Sequence, residues 1–457
     1  MQLKRNRRGR KAAVENINVS LAAATCALLG TAAPGAVVAQ EIGKWDVDTA
    51  GLYYGEADRV RDLSLSILAK TQPSEDKYLS LTFTLDTLTG ASPNGAAPSA
   101  SPQYFTTPIT LTRTSGGGIS SSGGRFLVPA GELPLDSTFK DTRYAGSAHW
   151  QQPLSRLTTL NFGGSLSTEH DYTHLGVDTQ IAHDFNNRNT TLSGGLEWSD
   201  DKVKPIGGSP IPFSDVRFAT SLGNQIDNGP QGPSSLGKHV RDLLVGLTQV
   251  LSRRTVVQVN YSLSRSDGYL TDPYKMMSVV DPTSGDVVAG LDPGYGLYIY
   301  ENRPDTREKR SLYGLLKHDF NGNVLDASYR IMTDDWGVRS KTLDLHYRWE
   351  LSGDKFLQPH LRFYSQTAAD FYHTVLLDGE PLPAYVSADY RLGKFDAATV
   401  GIKFGSKTRS GVFSARLEVY KQMGDPSPDA LVGSLRTVDL NPDLTAVIAE
   451  LSYKFGT

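Results

Sequence analysis

Leu343-Asp344-Leu345-His346-Tyr347-Arg348-Trp349-Glu350-Leu351 is the stretch whose reading decides the fold. Apolar and polar residues alternate one by one, the period of a β-strand. Leu343, Leu345, Tyr347, Trp349 and Leu351 share one face, and Asp344, His346, Arg348 and Glu350 share the other. Such a strand needs an apolar medium on one side and water on the other.

The division recurs along the chain. Leu79, Leu81, Phe83 and Leu85 oppose Ser80, Thr82, Thr84 and Asp86, and Thr255, Val257, Val259, Tyr261 and Leu263 oppose Gln258, Asn260, Ser262 and Ser264. Segments of roughly ten such residues are the mark of a transmembrane barrel, although a soluble sandwich alternates as well. Three features separate the two. Tight turns near 72–76, 186–188, 321–323 and 352–355 alternate with long loops near 87–141, 201–237, 268–304, 368–383 and 423–443, the asymmetry of periplasmic turns and extracellular loops. Aromatics such as Tyr347, Trp349, Tyr453 and Phe455 collect towards the ends of apolar rows, where interfacial girdles lie. The last strand carries Val447, Ala449, Leu451, Tyr453 and Phe455 on one face, close to the terminal pattern read by barrel-assembly machinery, with Gly456 and Thr457 following.

Residues 384–395 and 396–406 keep one parity through Val386, Ala388, Tyr390, Leu392, Ala398, Val400, Ile402 and Phe404, and read as one long strand. The expectation is an all-β, transmembrane, antiparallel up-and-down β-barrel of about sixteen strands, with both termini on the short-turn side.

The first residues read as a targeting segment. Lys4, Arg5, Arg7, Arg8, Arg10 and Lys11 precede an apolar run from Val19 to Ala39 broken by Ser20, Thr25, Gly30, Thr31 and Pro34, so residues 1–39 are expected to be a signal peptide cleaved near Ala39 and residues 40–457 a single barrel domain. The one cysteine, Cys26, lies inside that segment without the residues a lipoprotein signal wants, which leaves no disulfide framework, thiolate metal site or cysteine nucleophile in the mature chain. No later run is long enough for a membrane helix. A net charge of −3 gives no reason to expect nucleic acid as a partner. The expected setting is the outer membrane of a Gram-negative bacterium, with outer-membrane lipid and the barrel-assembly machinery as partners.

Asp86-Thr87-Leu88-Thr89-Gly90-Ala91-Ser92-Pro93-Asn94-Gly95, together with Asp272-Pro273-Tyr274-Lys275 and the stretch from Asn302-Arg303-Pro304-Asp305 to Arg310, resembles a family of bacterial proteins of unknown function predicted to be outer-membrane barrels. The resemblance covers almost all of the mature chain, with Asp86, Thr87, Gly90, Ser92 and Pro93 as its motif loop. It implies an association with small lipoproteins, thioredoxin-like proteins and periplasmic flavin-attaching enzymes, hence a periplasmic lipoprotein as a partner. It brings no assigned activity or ligand.

Linear motifs offer little chemistry. Gly232 to Lys238 matches most of a phosphate-binding loop, but His239 follows and a strand comes next, so no helix start presents its amides. His170, Asp171, His174, Asp178, His183 and Asp184 are dense in metal-ligand types, but their spacing on loop and strand reads as a solvated rim. Asp267, Asp272, Asp281, Asp286 and Asp292 read as turn formers before calcium ligands, and Tyr295, Tyr298 and Tyr300 as an aromatic contact surface or the outer girdle. Neither Gly-x-Ser-x-Gly nor His-Glu-x-x-His occurs. The expectation is no enzyme, no cofactor and no metal ligands; an enzyme would require a His and a carboxylate clustered at the outer rim.

The most informative set is the polar row of three strands: Asp326, Ser328 and Arg330; Asp344, His346, Arg348 and Glu350; Gln358, His360 and Arg362. It reads as a selectivity surface for a polar solute or as a wall of ion pairs that stabilises the barrel. The functional expectation is a porin-like pore, with a non-conducting platform for export or envelope assembly and redox as the alternative. The loop from Asp86 to Asp141 is the expected constriction or plug, with few fixed side chains because of Gly116-Gly117-Gly118 and Ser120 to Gly124. Deleting residues 115–124 is expected to change single-channel conductance; unchanged conductance would remove that role.

Overall fold

The structure, a computed structural model, describes residues 42–57, 59–106, 110–113, 119–122, 125–205, 208–216, 232–291, 294–351, 353–426 and 431–455. The expected signal peptide and its cleavage site lie outside them. In chain order the strands are β1 (Trp45–Glu56), β2 (Arg61–Ser74), β3 (Lys77–Pro93), β4 (Gln103–Thr106), β5 (Thr110–Arg113), β6 (Ile119–Ser122), β7 (Arg125–Val128), β8 (Leu135–Pro153), β9 (Thr158–Thr168), β10 (Tyr172–Phe185), β11 (Thr190–Val203), β12 (Leu236–Ser252), β13 (Thr255–Gly268), β14 (Met276–Val280), β15 (Tyr298–Tyr300), β16 (Thr306–Phe320), β17 (Asn323–Asp334), β18 (Arg339–Leu351), β19 (Lys355–Gln366), β20 (Val375–Leu377), β21 (Phe395–Thr408), β22 (Gly411–Gly424) and β23 (Leu444–Phe455).

Sixteen of them form one closed antiparallel barrel in the order β1-β2-β3-β8-β9-β10-β11-β12-β13-β16-β17-β18-β19-β21-β22-β23. β1 closes the ring against β23, pairing Tyr53 with Ala449 and Gly51 with Leu451. Closure leaves no sheet edge, which is what permits strands to stand in lipid with every backbone group paired. The apolar rows point outwards: Phe83, Leu166, Val259, Trp349, Val400 and Leu451 are exposed on the outer surface, as a lipid-facing wall requires. No helix among the described residues is long and apolar enough to cross a membrane.

The tight turns are built by their own residues. β16 and β17 are joined by Asn321-Gly322 alone, with φ of 60° and 101°, the two-residue Asn-Gly turn whose twist matches the flanking strands. Asn186, Asn187 and Arg188 also take positive φ between β10 and β11. The strands extend further into the expected long loops than the alternation suggests: β3 runs on to Pro93, so Asp86 and Thr87 are wall residues, and β8 begins at Leu135.

The strand count is sixteen, but one step that led to it fails. Residues 384–394 are not the first half of a long strand. They fold inwards as a loop with a 3₁₀ turn at Tyr390–Leu392, whose start is capped by Asp389 accepting from the Arg391 N–H, and the wall strand begins only at Phe395. The apolar residues there keep strand parity because Val386 and Leu392 pack into loop cores rather than against lipid.

The long loops fold together. β14, β15 and β20 form a small sheet across three segments, β4 pairs with β7 and β5 with β6, and single bridges join Asp215 to Ile299 and Asn302 to Val386. Loops rooted between β3 and β8 and between β13 and β16 stand six strands apart in the ring, yet Met276 N–H donates to Asn94 O at 3.0 Å and Ala97 N–H to Ser278 Oγ at 3.0 Å. Meeting from so far around, they must cross the mouth of the barrel. Met277, Val280 and Val386 at the centre are fully buried, so this cap has a core of its own.

Candidate functional site

Below the cap the lumen is charged. Register puts Asp326, His346 and His360 on one rung and Ser328, Asp344 and Arg362 on the next, all inward-facing as the alternation required. Acids and bases meet there: Lys317 Nζ lies 3.2 Å from Asp326, His346 Nε2 2.8 Å from Asp344 Oδ1, Arg362 Nε 3.5 Å from Asp344 Oδ2, and His360 Nδ1 2.8 Å from Glu418 Oε1. Arg348 pairs with Glu350 at 2.5 Å and lies over Phe356, and Arg330 lies over Tyr313. Ion pairing is therefore present, but the Arg348 and Arg362 side chains remain 43% and 48% exposed, so the row also faces water.

Asp344, His346 and His360 hold three ligand atoms within 4.8 Å of one another, close enough to be considered as metal ligands. Their imidazoles stack at 4.0 Å and 11°, and both reach Asp344 Oδ1, His346 Nε2 at 2.8 Å and His360 Nε2 at 3.3 Å, so the carboxylate joins the two rings directly. Asp141, Glu169 and Asp171 form a second group at the rim, where Asp171 accepts from the Tyr274 hydroxyl of the cap at 2.8 Å.

The cap is locked by a buried ion network that linear reading does not reveal. Arg303 Nε reaches Glu301 at 2.6 Å and its Nη2 reaches Asp389 at 2.9 Å, with the acid side chains at zero exposure. Arg391 binds Asp389 and, at 3.1 Å, Asp272. Ser387 donates to Glu301, and Lys275 Nζ donates to the Pro93 carbonyl. Burial alone would raise the Asp389 carboxyl, but the Arg391 and Arg303 guanidiniums outweigh it and hold it far below the usual carboxylate range. Burial pulls the Lys275 ammonium downwards despite Asp389 and Asp272 nearby. The family-like stretches pointed to Asp272, Lys275 and Arg303; Glu301 stands beside one of them, and Ser387, Asp389 and Arg391 carried no sequence signal.

The motif of residues 86–93 proves to be the hinge between wall and cap. Asp86 accepts from Arg143 on the neighbouring strand at 2.5 Å, buried on the lumen side. Thr87 pairs with Leu63 in the ladder, Gly90 takes φ of 125° at a register shift, Ser92 is buried, and the Pro93 carbonyl receives Lys275. The expected plug loop contributes to the cap but shares it with four others. Its side chains are not loose: Phe105, Ala96 and Gln103 are buried. Residues 114–118 and 123–124 lie outside the described residues, and 119–122 pair with 110–113.

Other expectations fare unevenly. Tyr298 is 1% exposed, packed on Phe105 with its hydroxyl donating to Gln103 at 2.8 Å, so it belongs to the cap core and not to a girdle, and Tyr295 packs beside it. Asp281 accepts from the Thr283 and Ser284 N–H groups at 2.8 and 2.7 Å, a turn, while Asp272 binds Arg391 and Asp267 pairs with Arg241; Asp292 lies outside the described residues. Lys238 and His239 fall on strand β12, so the phosphate-loop likeness is empty. The residues from 170 to 184 disperse: Asp178 pairs with His149 at 3.1 Å, His183 with Thr158 at 2.8 Å, and His174 with Asp201 at 2.7 Å.

Comparison with solved structures finds a bacterial polysaccharide outer membrane secretin at 10% identity, TM-score 0.40, with 90% of this chain and 98% of that one covered. It also finds the ferric enterobactin receptor of Pseudomonas aeruginosa in complex with enterobactin, at 9% identity, TM-score 0.43 and 90% of this chain, and OccK3 of the same organism at 9%, TM-score 0.37 and 90%. The match takes in 60% of the receptor's length and 95% of OccK3. No curated protein matches the sequence. Residues 18–455 match the family described as "Protein of unknown function (DUF3570)", and the chain, a β-barrel from wall to cap, belongs to that family.

Proposed function

We propose that the protein is an outer-membrane channel for polar solutes, narrowed at its outer mouth by the loop cap. The observation that carries this reading is the row of Arg348, Glu350 and Arg362, left half-exposed on the lumen wall beneath the cap. A wall needed only for stability gains little from charges kept in water, where a pair contributes roughly 0–1 kcal/mol. Fixed charges beside an aqueous path set which ions pass. The second reading, a non-conducting platform for envelope assembly or export with a small periplasmic lipoprotein, draws on the locked cap.

Planar-bilayer recording of the purified, refolded protein separates them. The channel reading expects small stable steps, and replacing Arg330, Arg348 and Arg362 with Gln is expected to lower the preference for anions over cations roughly several-fold. A folded barrel that gives no steps even after the cap is loosened favours the platform.

A further inference from the structure

Ser165, His174 and Asp201 lie on three successive wall strands, β9, β10 and β11, at the long-loop end of the lumen. His174 Nδ1 is 2.7 Å from Asp201 Oδ1, and His174 Nε2 is 3.0 Å from Ser165 Oγ. A carboxylate can only accept, so Asp201 fixes the proton on Nδ1 and leaves Nε2 with its lone pair towards the Ser165 hydroxyl. Asp201 is itself clamped by the Tyr172 hydroxyl at 2.5 Å and by Lys238 at 3.4 Å. Its side chain is 3% exposed while that of His174 is 24% exposed, a buried orienting group behind an accessible base. Gly176 faces Ser165 across the ladder, and a Cβ there would stand 2.6 Å from Ser165 Oγ and 3.0 Å from His174 Nε2. Only glycine leaves room for the hydroxyl and the imidazole to meet. The adjoining His149–Asp178 pair has the same acid and base types, but among the described residues no serine hydroxyl hydrogen-bonds to it.

We propose that Ser165, His174 and Asp201 form a nucleophile, base and orienting acid that hydrolyse a small water-soluble carboxylic ester inside the lumen. Ser165 Oγ attacks the ester carbonyl carbon as its proton passes to His174 Nε2. The tetrahedral intermediate expels the alkoxide, which takes that proton and leaves as the alcohol. Water, deprotonated by the same nitrogen, then attacks the acyl-serine, and the carboxylic acid departs as the proton returns to Ser165 Oγ. The site faces the aqueous lumen, since the apolar neighbours Leu166 and Leu175 point outwards, and this selects soluble esters over bilayer lipids. The surrounding strand N–H groups are engaged in the ladder, so turnover is expected to be slow: a missing oxyanion donor costs roughly 10²–10³ in rate.

The test uses the full chain refolded in detergent, with folding checked by heat-modifiable migration. A fluorophosphonate probe followed by peptide mass spectrometry is expected to place the adduct on Ser165. Ser165→Ala and His174→Gln are expected to abolish it and to reduce p-nitrophenyl acetate hydrolysis to the background rate, while His149→Gln keeps both. Asp201→Asn is expected to lower the rate roughly 10²–10⁴-fold. Gly176→Ala retains every reacting group and is expected to reduce kcat with KM held, the mark of lost positioning. A folded wild-type barrel without an adduct on Ser165, or hydrolysis that survives Ser165→Ala, overturns the proposal. Neither result depends on whether the barrel conducts.

Discussion

Arg303→Met is expected to unfasten the cap while the wall stays intact. Among the described residues Arg303 is the one cation that hydrogen-bonds Glu301 and one of two on Asp389, and all three side chains are buried. Removing one member of a buried ionic set leaves a charge without compensation and costs roughly 3–5 kcal/mol, a large share of what a small loop core can supply. The network touches the wall through Lys275 and the Pro93 carbonyl, a contact that does not involve Arg303, so heat-modifiable migration should be unchanged while residues 269–305 become cleavable by protease and bilayer conductance rises. Adding Glu301→Gln is expected to restore part of the loss, because the two positions act as a unit. Full protease resistance in Arg303→Met would show that apolar packing around Met277 and Val386 holds the cap without the ions. Asp389 and Glu301 respond to acid in opposite senses. A depressed carboxylate contributes its stability above its unfolded value, about 4, and loses it only as the pH falls through the folded one, so the Asp389 share of the cap is expected to persist from pH 8 down to about pH 4. Burial pushes the Glu301 carboxyl upwards, so it takes up its proton before Asp389 does and is the first of the two to weaken in acid.

Gly90→Val is expected to damage the barrel itself. At φ of 125° a β-branched residue is strained, a penalty on the order of 1–3 kcal/mol, and its Cβ would fall 2.2 Å from the Arg59 carbonyl oxygen. That oxygen belongs to the short connection between β1 and β2, which has little slack to move. The register shift at Gly90 stands just before Pro93 and Asn94, whose carbonyls accept from Lys275 and the Met276 N–H of the cap, so the substitution should disturb both wall and cap. The midpoint of heat unfolding in detergent is expected to fall, with a further loss of protease resistance in the cap. A variant as stable as the wild type would mean that Arg59 and its turn yield easily.

Single-residue alternation determined the wall. In a barrel each strand has one face in lipid and one in water, so local sequence carries the orientation of every residue, and the row from Leu343 to Leu351 is sufficient to read it. Asn321-Gly322 likewise announced its turn, because a two-residue hairpin depends on those residues alone. The motif at residues 86–93 was visible as a pattern, but its purpose depended on Arg59, Arg143 and Lys275, which come from elsewhere in the chain. Residues 384–394 defeated the same rule: alternation reports one wet and one dry face, and a loop packed into a private core meets that description as well as a strand in lipid does. The cap network joins residues 272, 301, 303, 389 and 391, and the Ser165–His174–Asp201 set joins three strands. Neither is a linear motif, since a hydrogen bond requires proximity in space and strand register, not chain spacing, decides which side chains share a rung. Sequence settled which side of the wall each residue faces; tertiary pairing alone decided which of them meet.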